Sequence, residues 1–134
     1  MIKLYFASSC ASCRRAKEWL INNGLEYEEH NLMTCPLEPA DLIEMLSLTD
    51  NGTEDIICMR GKEISKLNLN LDELSLNDVF ELIKIHPKIL RRPILVNEHH
   101  LQVGFNSDDI RIFIPREIRR VEISEAIQNI KIEL

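Results

Sequence analysis

Glycine and proline are scarce, with four and five residues among 134. So low a share excludes collagen-like and low-complexity chains, and an apolar content of 45% argues against disorder. No internal repeat is visible, so a repeat array is excluded too. No uncharged apolar run approaches the roughly 20 residues that span a bilayer. The N-terminus, Met1-Ile2-Lys3-Leu4-Tyr5-Phe6, lacks the charged region and long apolar stretch of a signal peptide. A cytoplasmic chain with no membrane partner is therefore expected. Its length is that of one ordinary domain, able to bury a core without disulfides or metals.

Positive charge is also in short supply. Lys and Arg number 16 against 22 Asp and Glu, a net charge of −6, whereas a dedicated nucleic-acid binder usually carries a basic excess. The deficit is local. Residues 18–59 contain no Lys or Arg and ten acids, which leaves 16 basic against 12 acidic residues elsewhere, a surplus of four. One stretch is an acidic face, suited to a basic partner or simply to solvent.

The chain opens with a βαβ pattern. Ile2–Phe6 reads as a buried strand. A helix follows from Cys10 or Ala11, with Ala16, Trp19, Leu20 and Asn23 on one face and Gly24 beyond its end. Residues 27–32 read as a second strand, parallel to the first. Short helices are expected over Asp41–Leu48, from Thr53 to Met59 with Thr53-Glu54-Asp55 as its cap, and over Lys62–Leu67. Pro36 and Pro39 read as breaks, and Asp50-Asn51-Gly52-Thr53 as a turn. A clearer helix runs from Ser75 to His86, with Leu76, Val79, Phe80, Leu82 and Ile83 as its apolar stripe. Ile94–Val96 and Leu101–Val103 form an antiparallel hairpin. Ser107 is positioned to cap a helix over Asp108–Phe113, and Glu117–Leu134 is amphipathic enough to be helical. The order predicts an α/β fold, a mixed sheet carrying a helical insertion.

Cys10-Ala11-Ser12-Cys13 carries the chemistry. A C-x-x-C that follows a strand and opens a helix meets unpaired N–H groups and the positive end of the helix dipole, which favour a thiolate. Arg14, Arg15 and Lys17 add positive charge. An oxidant would convert Cys10 to a sulfenic acid that Cys13 resolves to a disulfide. Two other readings stand beside this redox dithiol. One is a zinc site, for which Cys35 and Cys58 lack paired spacing; the other is a pair of structural cysteines. Arg91-Arg92-Pro93-Ile94 also has two readings. An X-Pro bond entering a strand often lies against such a dithiol, commonly in cis, placing Arg92 near a thiolate or oxyanion. Alternatively, the two arginines are a solvated pair after a helix. Gly52 suits a positive φ and close backbone approach, or is only a turn residue.

Taken together, Cys10-x-x-Cys13, Asp50-Asn51-Gly52-Thr53-Glu54, Arg60, Arg91-Arg92-Pro93-Ile94, Leu101-Gln102-Val103-Gly104-Phe105-Asn106 and Asp109-Ile110-Arg111 resemble the Spx subfamily of the arsenate reductase-like family, through about residue 125. These are redox-responsive transcriptional regulators of low-GC Gram-positive bacteria. The resemblance implies a thioredoxin-like domain from residues 1–34 and 87–134, and a central helical domain over 35–86. It implies binding to the C-terminal domain of the RNA polymerase α subunit through Gly52, with Cys10 and Cys13 as the switch and Arg92 supporting the oxidised state. Arg60 and Lys62 would engage promoter DNA, only within the polymerase complex. A monomer with no cofactor and no metal is implied. Clp protease and an adaptor are further implied partners, although the ending Ile130-Lys131-Ile132-Glu133-Leu134 departs from the family's short tail. Cys35 and Cys58 fall outside the switch and read as buried or half-buried thiols.

The rival reading is an enzyme, an arsenate reductase or glutaredoxin-dependent thiol oxidoreductase. Cys10, Arg60 and Arg92 would supply most of an oxyanion site. The third arginine of that pattern has no counterpart at Val103, Gly104, Phe105 or Asn106. A thioredoxin-type oxidoreductase needs an apolar surface around the dithiol, where Ser8, Ser9, Ser12, Arg14 and Arg15 are polar. A regulator, not an enzyme, is expected.

Overall fold

A computed structural model of the chain describes residues 1–58, 66–67 and 73–133. Strand β1 (Ile2–Phe6), helix α1 (Ala11–Asn22) and strand β2 (Tyr27–Asn31) form the expected crossover. Helix α2 (Pro39–Ser47), a 3-10 turn (Gly52–Asp55) and helix α3 (Leu76–Ile85) follow. A second 3-10 turn (Pro87–Ile89) leads to the hairpin of β3 (Ile94–Val96) and β4 (Leu101–Val103). A third (Asp109–Phe113) precedes the C-terminal helix α4 (Arg116–Glu133).

The four strands lie in the order β2-β1-β3-β4. β1 runs parallel to β2, with Leu4 opposite Glu29, and antiparallel to β3, with Leu4 opposite Leu95. β3 pairs antiparallel with β4, Ile94 opposite Val103. Residues far apart in the chain thus meet in one mixed sheet.

Side chains alternate across each strand, so the sheet buries both faces. Ile2 and Leu4 of β1 and Leu95 of β3 pack on one side with Ala16 and Leu20 of α1, Ile110 and Phe113. Tyr5, Ile94 and Val96 face the other way, against Leu42 and Met45 of α2, Ile56, Ile57, Val79 and Ile83 of α3, Ile89 and Leu90. The central segment therefore shares a core with the sheet. Lys3 on β1 adds ion pairs to Asp41 at 3.8 Å and Glu44 at 3.5 Å on α2.

Local signals explain most boundaries. Gly24 takes φ +65 just past α1, where a left-handed residue ends a helix. The Ser75 hydroxyl accepts the Asp78 N–H at 3.2 Å while Asp78 accepts the Ser75 N–H at 3.3 Å, a reciprocal cap on α3. Leu76, placed in the apolar stripe of that helix by its periodicity, is exposed.

Other expectations are corrected. Pro39 starts α2 instead of breaking the chain, because a first-turn proline loses no helical hydrogen bond. The helix expected from Thr53 to Met59 is a single 3-10 turn. Ile57 bridges antiparallel to Leu90 instead, a partner that ends the turn by tertiary pairing. Met59 and most of the helix expected over Lys62–Leu67 lie outside the described residues, as do Arg60 and Lys62 themselves; Lys66 and Leu67 are helical. Asn106, not Ser107, caps the turn before α4, its Oδ1 accepting from the Asp108 and Asp109 N–H groups at 2.8 and 3.1 Å. α4 forms as expected, with Ile118, Val121, Ile123 and Ile127 exposed. Among the described residues no helix is long and apolar enough to cross a membrane.

Leu20 is fully buried and its neighbour Ile21 is 57% exposed. Leu20→Ala is expected to cost about 2–5 kcal/mol in denaturant unfolding. Ile21→Ala should stay within about 0.5 kcal/mol of the parent.

Candidate functional site

β1 delivers the chain into Ala7-Ser8-Ser9, and Ser9 turns it with φ +64. Cys10 then stands in an extended conformation at the N-cap of α1 (φ −111, ψ 110). Its Sγ accepts the Cys13 backbone N–H at 3.2 Å, the place a serine or aspartate oxygen usually takes. The Cys10 carbonyl accepts from the Arg14 N–H at 3.1 Å. No acid sits in the first turn of the helix, so the positive end of its dipole reaches Cys10 uncompensated.

The two thiols occupy different surroundings. Cys10 is half-buried and Cys13 is 4% exposed. Burial pushes the Cys13 thiol up to about 11 from the usual 9.0, and the hydrogen bond with Cys10 adds to this, while the Ala7 backbone and the Arg92 charge pull the other way. The expectation of a favoured thiolate therefore does not extend to Cys13, because desolvation outweighs the cations. Arg14 and Lys17 line a small cavity of about 150 Å³ with both cysteines. Lys17 is drawn off by Glu29, 2.7 Å away across the neighbouring strand.

The Arg92–Pro93 peptide is cis, and Pro93 is buried at the start of β3. Beside it opens a cleft of about 700 Å³ lined by Cys10, Cys58, Lys88, Leu90, Arg91, Arg92, Val103 and Gly104. Arg92 is thus brought to the dithiol. Val103 and Gly104, two of the positions at which sequence spacing would put a reductase's third arginine, line the same cleft. Cys58 and Lys88 belong to the same cleft and were not singled out for it by sequence. The sequence does not reveal the pairing of Ile56–Cys58 with Ile89–Arg91: Cys58 N–H donates to Ile89 O at 2.8 Å, and Arg91 N–H to Ile56 O at 2.7 Å. Cys58 is half-buried as expected, but Cys35 is exposed, on a turn closed by its N–H donating to Asn31 O at 2.8 Å.

Gly52 sits at the other end of that paired segment. It has φ +74, and a Cβ there would meet no atom within 4 Å. The Asp55 carboxylate folds the turn around itself, accepting from the Asp50 and Asn51 N–H groups at 3.0 Å each. These backbone bonds, Asn51's first, and the charge of Arg91 hold Asp55 below the ordinary carboxylate range. Asp50, Asn51, Glu54 and Asp55 line a second cavity, of about 320 Å³, whose wall includes Arg91. Arg91 therefore lines both cavities, its Nε donating to Ile57 O at 3.2 Å. Among the described residues no group of three or more His, Cys, Asp or Glu is placed to hold a metal ion.

The ArsC family model matches residues 5–113. The chain is 46% identical, over 99% of its length and 97% of the relative's, to the global transcriptional regulator Spx of Streptococcus agalactiae serotype V. It is 48% identical, over 96% and 97%, to the global transcriptional regulator Spx of Lactiplantibacillus plantarum. Among solved structures it is similar to a possible arsenate reductase from Streptococcus mutans, with TM-score 0.69 and 24% identity over 82% of this chain and 97% of that one. A Staphylococcus aureus protein solved in solution has TM-score 0.71 and 23% identity over 83% and 96%. At these identities the structural likeness establishes the fold, an α/β thioredoxin-like sheet, and no more.

A thiol titrating near 11 instead of 9.0 holds about a hundredfold less thiolate at neutral pH. Iodoacetamide at pH 7 should therefore label Cys10 well before Cys13, as read by peptide mass spectrometry. The folded pKa of Cys13 lies above its unfolded value, so its share of stability is full below pH 9 and is lost as pH rises towards 11. Cys13→Ala should flatten that alkaline decline; equal labelling of both thiols would contradict the assignment.

Proposed function

The chain belongs to the ArsC family and, within it, to the Spx subfamily, and from that premise we propose that it is a global transcriptional regulator worked by a Cys10–Cys13 switch. The observation that carries the reading is the N-cap position of Cys10, with Cys13 one turn away and its N–H on the Cys10 sulfur. A peroxide oxidises the Cys10 thiolate to a sulfenic acid and leaves as hydroxide or alkoxide. The Cys13 sulfur then attacks Cys10 Sγ, the S–S bond forms, and water departs with the Cys13 proton. Burial of Cys13 suits a resolving role, because it keeps that thiol from meeting the oxidant first. Arg92, on the cleft beside Cys10, is the residue that supports the oxidised state.

The regulator acts through the C-terminal domain of the RNA polymerase α subunit. Gly52 supports this part: its positive φ and open surroundings leave bare backbone accessible in a turn that carries Asp50, Glu54 and Asp55, a surface that suits a basic partner. Residues 1–34 and 87–134 form the redox domain and residues 35–86 the polymerase-binding one, in a cytoplasmic monomer. Arg60 and Lys62 reach promoter DNA only inside the polymerase complex.

An oxyanion reductase is the second reading, and the cleft favours it only in part. Val103 and Gly104 supply no cation on their flank, and one missing donor typically costs about 10²–10³ in rate.

Gly52→Arg is expected to weaken binding to the isolated α C-terminal domain at least about tenfold, or 1.4 kcal/mol, beyond the roughly 1–2 kcal/mol of stability that a side chain at φ +74 costs. Cys10→Ala should leave that binding intact and abolish the rise in transcription of thiol-homeostasis genes after diamide. Wild-type induction by Cys10→Ala would overturn the switch, and unchanged titration by Gly52→Arg would overturn the interface.

A further inference from the structure

We propose that Cys58 is a site of mixed-disulfide formation with small anionic disulfides, admitted by the cleft that it shares with Cys10, Lys88, Arg91 and Arg92. Cys58 is not an isolated thiol. It lines a cavity of about 700 Å³ together with a second thiol and three cations, and no acid is among the described residues that line it. That volume lies within the range of about 300–1,000 Å³ typical of small-ligand sites. A reagent bearing carboxylates is the complement of such a wall. The thiol is also held in place. Its own N–H donates to Ile89 O at 2.8 Å and the preceding residue bridges to Leu90, so paired backbone presents it to the cleft.

The exchange balances without a further oxidant. The Cys58 thiolate attacks one sulfur of R–S–S–R, forming Cys58–S–S–R. The original S–S bond breaks and the second half leaves as the thiolate RS⁻. Cys58 is oxidised, the departing sulfur is reduced, and the Cys58 proton passes to solvent. The same reagent on Cys10 has a different fate, because Cys13 lies one turn away and expels the adduct to close the disulfide. Cys10 is the other thiol on the cleft, and its pairing with Cys13 leaves the Cys58 adduct to an external thiol. Only this contrast rests on the dithiol reading.

The test uses the full chain with two disulfides of opposite charge, oxidised glutathione and cystamine. Adducts are counted by peptide mass spectrometry, with exposed Cys35 as internal reference. With oxidised glutathione, Cys58 should react at least about tenfold faster than Cys35, the lower end of electrostatic steering. With cystamine that lead should vanish. Lys88→Glu, a change at an exposed residue, should bring the Cys58 rate towards that of Cys35 at unaltered circular dichroism. In a Cys10→Ser chain the Cys58 preference should remain, whatever becomes of the Cys10–Cys13 switch. Equal rates at Cys58 and Cys35 with both reagents, insensitivity to Lys88→Glu, or a Cys10–Cys58 disulfide in place of the adduct would each overturn the proposal.

Discussion

A sulfur atom does the work of a helix cap in this protein, and the rest of the site follows from that substitution. The N–H groups of a first helical turn need an acceptor, and Cys10 Sγ serves as one for Cys13 at 3.2 Å. The bond holds two thiols one turn apart, aims the helix dipole at the outer one and buries the inner one. It also requires that α1 begin where β1 ends, which the crossover onto β2 secures by packing Ala16 and Leu20 beneath the sheet. Reactivity, spacing and fold are therefore set at a single point in the chain.

Around that point the sheet brings together groups that are distant in sequence. β3 lies beside β1, so the Arg92–Pro93 junction meets the dithiol. The segment Ile56–Cys58 pairs with Ile89–Arg91, and this pairing ties the cleft beside Cys10 to the turn that holds Gly52. Arg91 makes the link concrete, with its main chain bonded to Ile56, its Nε to Ile57 and its side chain on the wall of both cavities. The acidic turn and the cationic cleft are thus neighbours. That arrangement is how a chain of net charge −6 presents surfaces of opposite sign side by side.

Much of this was legible in the residues. The C-x-x-C between strand and helix, Gly24 past the helix, the Ser75 cap and the Leu101–Val103 hairpin all carry strong local signals, and each forms. The errors lie where tertiary pairing decides. Thr53-Glu54-Asp55 resembles a cap, yet Ile56 and Ile57 satisfy their backbone against Ile89–Arg91, a partner more than thirty residues away that local patterning does not reveal. That mistake hid Cys58 from the cleft. Asn106 outcompetes Ser107 as a cap because its carbonyl reaches two N–H groups at once. The thiol environments were only half visible: a dipole and nearby arginines can be read from sequence, but the desolvation that governs Cys13 depends on what packs over it.

The central claim is that Cys10 and Cys13 form one two-electron couple. Equilibrating the full chain across a series of reduced-to-oxidised dithiothreitol ratios, then trapping thiols and mapping peptides, tests it directly. The account predicts one transition, with a Cys10–Cys13 linked peptide as its oxidised product and a Cys13→Ser chain that shows no such transition. A transition that persists in Cys13→Ser, or an oxidised product that joins Cys10 to another cysteine, would contradict it.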